Sequence, residues 1–424
     1  MTETQDKPAL SKFAPAGFKP AAADAVPTAA PSVLFYDAVI FGGGIAGLWL
    51  ANTLLRAGYN VILFEKDTLG GRQTLASQGM IHGGQKYTLE GAVTQHASSI
   101  ARMPERWEAC LGGYGEIDLT SVKFLSENQI MWPAGSLLSD VAVFGAAQLV
   151  NAATTKLKQP EIPDALKAPG KKFKGSVYSM PEKVLDTRTL VQALAAPLKG
   201  RLFKGGVSEI LPDGQAAVDG VVMQAQMLIF TAGTGNEDAF KMLKIEKRLS
   251  QRRPLRQVMV RPLPEPLYGH GIVGKPKPRM TVTAHPNGRD GYVWYLGGNI
   301  AEEGAKMSED ETLQFARKEL ESVFPHIDWS DKQWATWAGD RAEPYDEEGH
   351  LPPGPFVQQR GRVMVAWPTK LTFAPALADR MMDKLRERKI MPEYKTEPPA
   401  DKFAPAEVGR YPWEDAAWRK LRGA

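Results

Sequence analysis

A chain of 424 residues is too long for one ordinary core and points to two domains between which the chain crosses more than once. Lys plus Arg total 52 against 48 Asp plus Glu, so the formal balance of +4 offers no strong field to gather nucleic acid or another polyanion. With 43% hydrophobic and 24% charged residues the composition is that of a soluble globular protein, and no apolar run approaches the roughly 20 residues of a membrane span.

Residues 1–32 are rich in Ala and Pro and predict a disordered tail; Asp24 and Pro27 interrupt the Ala-rich part, so it does not read as a signal peptide. From Asp37 the chain runs DAVIFGGGIAGLWLANTLLRAGYNVILFEKD. Asp37–Phe41 is short, apolar and β-branched, suited to a buried parallel strand, and Leu48–Arg56 continues in helix-favouring residues. Between them Gly42, Gly44 and Gly47 keep the GxGxxG spacing. The first allows a tight turn, the second lets backbone approach a pyrophosphate, and the third lets helix and strand pack closely. The helix that opens there offers unpaired amides and a positive dipole end to phosphate. Asn60–Phe64 reads as a second buried strand, and Glu65 ends it with a carboxylate able to accept from a ribose diol and to repel a 2′-phosphate. A dinucleotide is predicted here, although these glycines serve NAD and the ADP half of FAD equally.

Further along, the single cysteine, Cys110, cannot form an internal disulfide or a Cys-rich metal site; it reads as buried and inert, in a chain suited to a reducing compartment. Lys156, Lys158, Lys167, Lys171, Lys172 and Lys174 mark a solvated loop. Met227–Phe230 is strand-like and leads to Gly233 and Gly235, which free the backbone to approach a ligand. Period-two alternation over Gly291–Asn299 puts Trp294 and Tyr295 on opposite faces of one strand, so at most one lines a site. Ser308 and Glu311 predict a capping box for a helix that ends before Pro325. Leu377, Met381 and Leu385, four apart, predict a helix face packed on a sheet. Residues 391–424 are Pro-rich, but Trp413 and Trp418 give them something to dock with. The string KFAPA recurs at Lys12–Ala16 and Lys402–Ala406 and is read as coincidence between two Ala/Pro-rich tails. Six dispersed histidines without HExxH predict no metal site.

Leu69–Tyr87 (LGGRQTLASQGMIHGGQKY) resembles the second signature of the D-amino-acid oxidase superfamily of flavoproteins. That group includes glycine and sarcosine oxidases, FAD-linked glycerol-3-phosphate dehydrogenase and 2-hydroxyglutarate oxidases. Met180–Leu198, Gln226–Gly235 (QMLIFTAGTG), Gly291–Asn299, Trp337–Pro344 (WAGDRAEP) and Gly361–Lys384 are similar to later segments of the family in its order, about residues 36–388 in all. The resemblance implies FAD and an α/β fold: a Rossmann-like FAD-binding domain with a parallel sheet (33–90, 180–245 and 336–390), interleaved with a substrate domain on a mixed or antiparallel sheet (91–179 and 246–335), then a C-terminal extension (391–424). It implies FAD contacts at Gly42, Gly44, Ile45, Ala46, Gly47, Glu65, Lys66, Thr74, Ser77, Gly83, Gly84, Val207, Thr231, Ala232, Gly233, Gly339, Thr369, Lys370 and Leu371. The chain departs from the family at Trp367–Pro375, where glycines are usual and only Thr, Lys, Pro and apolar residues stand.

The expected chemistry is hydride removal from a small polar substrate, a hydroxy acid or polyol or an amine or amino acid, to flavin N5, with oxygen, a quinone or another acceptor taking the electrons. Lys370 is the candidate positive charge for the reduced ring, or else a solvent-facing loop lysine. His82 is a proton acceptor or flavin contact, or a structural imidazole. Arg341 is a bidentate clamp for a substrate carboxylate, or an ion-pair partner of Asp340 or Glu343. The rival readings are a nicotinamide-dependent dehydrogenase and a non-catalytic flavin-binding protein. The expected location is cytoplasmic, with a peripheral place at the membrane left open.

Overall fold

The β-branched run that ends at Phe41 forms the strand Leu34–Phe41, whose last six residues are buried. The computed structural model describes residues 33–81, 102–135, 154–273, 277–348 and 354–421; the expected tail at 1–32 lies outside them. Leu34–Phe41 pairs in parallel with Val61–Glu65 on one side and Val221–Phe230 on the other, and the helix Ile45–Arg56 makes the crossover to the first of these.

Across this first sheet the order is Phe356–Arg360, Val363–Trp367, Val221–Phe230, Leu34–Phe41, Val61–Glu65, Leu202–Lys204. The pairings along it are parallel except at the outer Phe356–Arg360 edge. Period-two alternation gives the sheet two apolar faces. Ala38, Ile40, Leu63, Met227 and Ile229 pack on the helices Ile45–Arg56, Thr187–Ala195 and Ala374–Glu387, while Val39, Phe41, Ile62, Phe64 and Leu228 form a separate core behind. Leu377, Met381 and Leu385 face the first of these cores, as their spacing predicts.

A second sheet is ordered Arg419–Lys420, Gln333–Pro344, Ser250–Leu263, Tyr292–Gly297, Met280–Pro286, Gly269–Ile272, Gln129–Pro133, Tyr178–Met180, Thr155–Lys156. It is antiparallel except between Gly269–Ile272 and Gln129–Pro133. Trp294 faces a core with Phe324 and Trp329 under the helix Glu309–Val323, and Tyr295 faces the core shared with the first sheet. The Ser308–Glu311 capping box starts that helix. The structure is thus mixed α/β with a parallel and an antiparallel sheet. No helix among the described residues is long and apolar enough to cross a membrane.

Residues 391–421 form a strap. The amides of Glu393 and Tyr394 donate to the buried Asp37 Oδ1 at 3.0 and 3.2 Å, and Phe403 sets its ring edge-on to Phe64 at 4.9 Å. Lys204 N donates to Ala404 O at 2.8 Å, so the C-terminal KFAPA string docks on the edge of Leu202–Lys204; Lys12–Ala16 lies outside the described residues. Further on, Trp413 packs 4.1 Å from the His285 ring on the second sheet, and Arg419–Lys420 joins that sheet.

Candidate active site

The chain leaves Leu34–Phe41 for a neighbour on one side and Val221–Phe230 lies on the other, so the carboxyl ends of these parallel strands open a crevice where strand order reverses. Gly42 turns there at a φ of +112°, and a Cβ on it would lie 2.6 Å from Ala232 Cα. A Cβ on Gly47 would lie 2.0 Å from the Gly42 carbonyl oxygen and 2.7 Å from Thr231 Oγ1, so helix and strand turn touch through this residue. Gly44 is the N-cap and has no side chain of its own to cap the helix. Ile45 N donates to Thr74 Oγ1 at 3.0 Å, and Ser77 Oγ donates to Thr74 O at 2.8 Å; Ala46 is buried in the same turn.

Glu65 Oε2 accepts from Gly43 N at 2.7 Å and Oε1 from Asp67 N at 2.9 Å, while the neighbouring Lys66 is exposed. Val207 opens a strand just beyond Gly205, whose amide donates to Glu65 O at 3.0 Å. On the other side Thr231 N donates to Phe41 O at 2.8 Å and Thr231 Oγ1 to Gly42 O at 3.0 Å. Gly233 takes a φ of +59°, with Gln73 Nε2 3.2 Å from where its Cβ would be.

Asn236, fully buried, accepts from Ala232 N at 2.9 Å and donates to Ala366 O at 3.0 Å, pinning this turn to the next strand. Sequence reasoning passed over it, although a polar residue opening a helix directly after TAGTG is a usable signal.

The strand Val363–Trp367 ends at the glycine-poor loop. Thr369 sits there at a φ of +63°, a conformation glycine adopts freely, and its hydroxyl lies 2.6 Å from Pro368 O and 3.2 Å from Gly354 O, either of which can accept its one proton. Leu371 begins a 3₁₀ turn into the helix Ala374–Glu387, and Lys370 Nζ stands 5.8 Å above the Phe373 ring.

On the second sheet Arg341 lies opposite Arg253 in the strand register. Asp340 pairs with Arg252 at 3.4 Å and Glu343 with Arg253 at 2.7 Å, whereas Arg341 meets Glu302 at 3.5 Å, a carboxylate also paired with Lys277. Arg341 Nε is buried without a hydrogen-bond partner among the described residues, and burial, then the positive charge of Arg253, push its pKa down. The Trp337 ring covers Gly339, whose Cβ would lie 2.2 Å from it.

A polar chain that sequence reasoning missed ties the loop 76–78 to the second sheet. Thr281 Oγ1 donates to Gln78 Oε1 at 2.6 Å, and Gln78 Nε2 donates to Tyr295 O at 3.2 Å. The Tyr295 hydroxyl lies 2.6 Å from Gln257 Oε1 and 2.9 Å from Ala76 O, and burial raises its pKa so that it stays a donor. His82, Gly83 and Gly84 lie outside the described residues; the chain leading to them is held by Ile81 N donating to Lys183 O at 3.0 Å. Cys110 is fully buried, and burial raises its thiol pKa, which leaves a packing role.

The crevice suits a dinucleotide on structural grounds. It combines a helix N-terminus that opens on glycine, glycines whose Cβ positions would collide with backbone, and a carboxylate at the crest of the second strand. Compared with known proteins, residues 37–383 match a family model described as FAD dependent oxidoreductase. The chain is 42% identical over 395 residues to the probable FAD-dependent oxidoreductase PA4991 of Pseudomonas aeruginosa, covering 92% of this chain and 98% of that one. The crystal structure of that Pseudomonas aeruginosa oxidoreductase aligns with a TM-score of 0.78 at 38% identity, over 91% of this chain and 99% of its own. A likeness of fold alone, at 16% identity and a TM-score of 0.59, extends to an FAD-bound L-α-glycerophosphate oxidase of Mycoplasma pneumoniae, over 86% and 97% of the two chains.

Proposed function

The chain belongs to the FAD-dependent oxidoreductase family, and from that premise we propose that it removes a hydride from the carbon beside the nitrogen or oxygen of a small carboxylate substrate, an amino acid or a hydroxy acid. The observation that carries the carboxylate is Arg341. A buried guanidinium nitrogen without a hydrogen-bond partner among the described residues, beside a second arginine in register that already holds Glu343, and with Glu302 at 3.5 Å shared with Lys277, has a donor to offer an incoming anion. A planar carboxylate supplies that anion in the geometry the guanidinium prefers.

When bound, FAD supplies the two-electron acceptor; the protein supplies binding, orientation and charge. In this reading Gly42, Gly44, Ile45, Ala46 and Gly47 receive the diphosphate at the helix start, and Glu65 with Lys66 and Val207 receive the adenosine end. Thr74, Ser77, Thr231, Ala232, Gly233 and Gly339 line the path toward the ring, and Thr369, Lys370 and Leu371 its far edge. Lys370, with the start of the helix Ala374–Glu387, would stabilise negative charge there. His82, Gly83 and Gly84 keep the roles that the resemblance implies. The same reading places FAD on a Rossmann-like domain (33–90, 180–245 and 336–390) and substrate on 91–179 and 246–335, with the strand Gln333–Pro344 spanning the boundary between them. It is supported by the parallel strands at the crevice and the long antiparallel ladder carrying Arg341.

Anaerobic titration of the FAD-loaded enzyme with amino acids, N-substituted amino acids, hydroxy acids and polyols tests this. Bleaching of the flavin by carboxylates and not by their amides is expected; bleaching by polyols alone would sink the carboxylate reading. Arg341→Ala should raise KM for the reacting carboxylate about 10- to 100-fold with a smaller change in kcat, the loss of one charge-assisted pair. Reoxidation followed separately with oxygen and with a quinone identifies the acceptor.

A further inference from the structure

We propose that the C-terminal strap is part of the FAD-holding apparatus: Glu407–Gly409 positions the loop Thr68–Gly71 against Gly43, so that retention of FAD depends on a segment beyond the residues 37–383 that match the family. The proposal rests on the FAD reading of the crevice. Leu69 N donates to Glu407 O at 2.8 Å, and Gly409 N donates back to Leu69 O at 3.0 Å, a short parallel bridge between Leu69 and Val408. The next amide in the loop, Gly70 N, donates to Gly43 O at 2.9 Å. Three backbone hydrogen bonds therefore run without a break from the strap to the middle of the glycine turn.

The contact has no slack. Leu69 Cδ2 lies 2.5 Å from where a Cβ of Gly43 would be, and a Cβ on Gly409 would meet Thr68 Oγ1 at 2.7 Å and Gly71 Cα at 2.8 Å. Within the loop Gly71 N donates to Thr68 O at 3.0 Å, Leu75 N donates to Gly70 O at 2.9 Å and Leu69 is buried, while its ion pair between Arg72 and Asp67 is 82% and 47% exposed, too wet to contribute much. The strap, by contrast, is anchored on both sides of the contact. Phe403 is buried against Phe64 before it. After it, Tyr411 stacks on Trp413 at 4.3 Å, and the Tyr411 hydroxyl donates to Asp186 Oδ1 at 2.6 Å and accepts from Arg188 N at 3.0 Å. A loop ordered in advance spares FAD the entropy of ordering it, and by reciprocity bound FAD must steady the strap.

Gly409 is thus a positioning residue, and Gly409→Val tests it. Apoprotein titrated with FAD should show Kd weakened at least tenfold. Trypsin should cut the variant faster at Arg410, whose side chain is 65% exposed, and FAD should slow that cut severalfold in the wild type. An unchanged Kd in a variant whose strap is cut faster overturns the proposal, as does a wild-type strap that FAD does not protect. If Gly409→Val does not unfold cooperatively, Tyr411→Phe is read instead: it removes only the hydroxyl's bonds, and a two- to fivefold weaker Kd is expected. A wild type with no affinity for FAD would sink the crevice reading itself, whereas tight wild-type binding with indifferent variants would sink only the role of the strap.

Discussion

His285 lies on the strand Met280–Pro286, 3% exposed, with the Trp413 ring 4.1 Å and the Tyr411 ring 5.5 Å away. Burial pushes its imidazole down to about 3, against an opposing pull from Asp186. Below about 6.5 the unfolded chain holds this proton, and the folded chain does not take it until about 3. Lowering the pH through that window therefore favours unfolding, by up to about 1.4 kcal/mol per pH unit, and above it the residue adds no pH dependence. Tm followed from pH 7 to pH 4.5 is expected to fall more steeply for the wild type than for His285→Phe; parallel curves would assign the acid sensitivity elsewhere. Thr369 shows the opposite situation, a local strain at a left-handed residue whose hydroxyl has Pro368 O and Gly354 O within hydrogen-bond reach.

The elements around the glycine-poor loop explain how it keeps its shape. The helix Met103–Leu111 lies against it: Trp107 Nε1 donates to Thr372 O at 2.9 Å, and the Trp107 ring packs 4.9 Å from Trp49 on the helix Ile45–Arg56. Arg106 grips Asp379 on the helix Ala374–Glu387 with two bonds of 2.5 and 2.9 Å and Glu116 with a third. These carboxylates, by hydrogen bond and charge, raise the guanidinium pKa against the desolvation that lowers it. The loop is thus held from outside by a neighbouring helix rather than by glycines of its own. Arg106→Ala should cost about 1–3 kcal/mol, because it strands two half-buried carboxylates, read as a lower midpoint in urea at constant m. A variant with unchanged stability would show that the loop does not depend on this clamp.

Across the whole molecule the strap touches both sheets. It begins on Asp37 at the foot of the first, passes the edge of Leu202–Lys204, and ends paired with Gln333–Pro344 in the second. Phe403, Tyr411 and Trp413 are buried along it, and each large side chain withdrawn from water contributes about 1.5–3 kcal/mol. Their sum is comparable with the whole margin of about 5–15 kcal/mol by which such proteins are folded. A chain ending at Ala400 should therefore lose its cooperative thermal transition, with near-UV circular dichroism flattened. A sharp transition within a few degrees of the wild type would mean that the strap is an accessory.

Features that depend on near neighbours were legible in the amino-acid order: the Gly42–Gly44–Gly47 turn, the parallel strand before it, the Ser308–Glu311 capping box, the Leu377–Met381–Leu385 face, and the opposite faces of Trp294 and Tyr295. Each follows from helix or strand periodicity or from glycine's missing side chain, which act over a few residues. The bond from Glu393 N to Asp37 spans 356 residues, and no local pattern says which distant amide meets a buried carboxylate. The same holds for Arg341 meeting Glu302 rather than Asp340 or Glu343, for Asn236 bridging Ala232 and Ala366, and for the Tyr295 hydroxyl reaching Ala76. Those choices were made by tertiary packing, because a buried polar group takes whichever partner the folded backbone brings within reach once water is excluded.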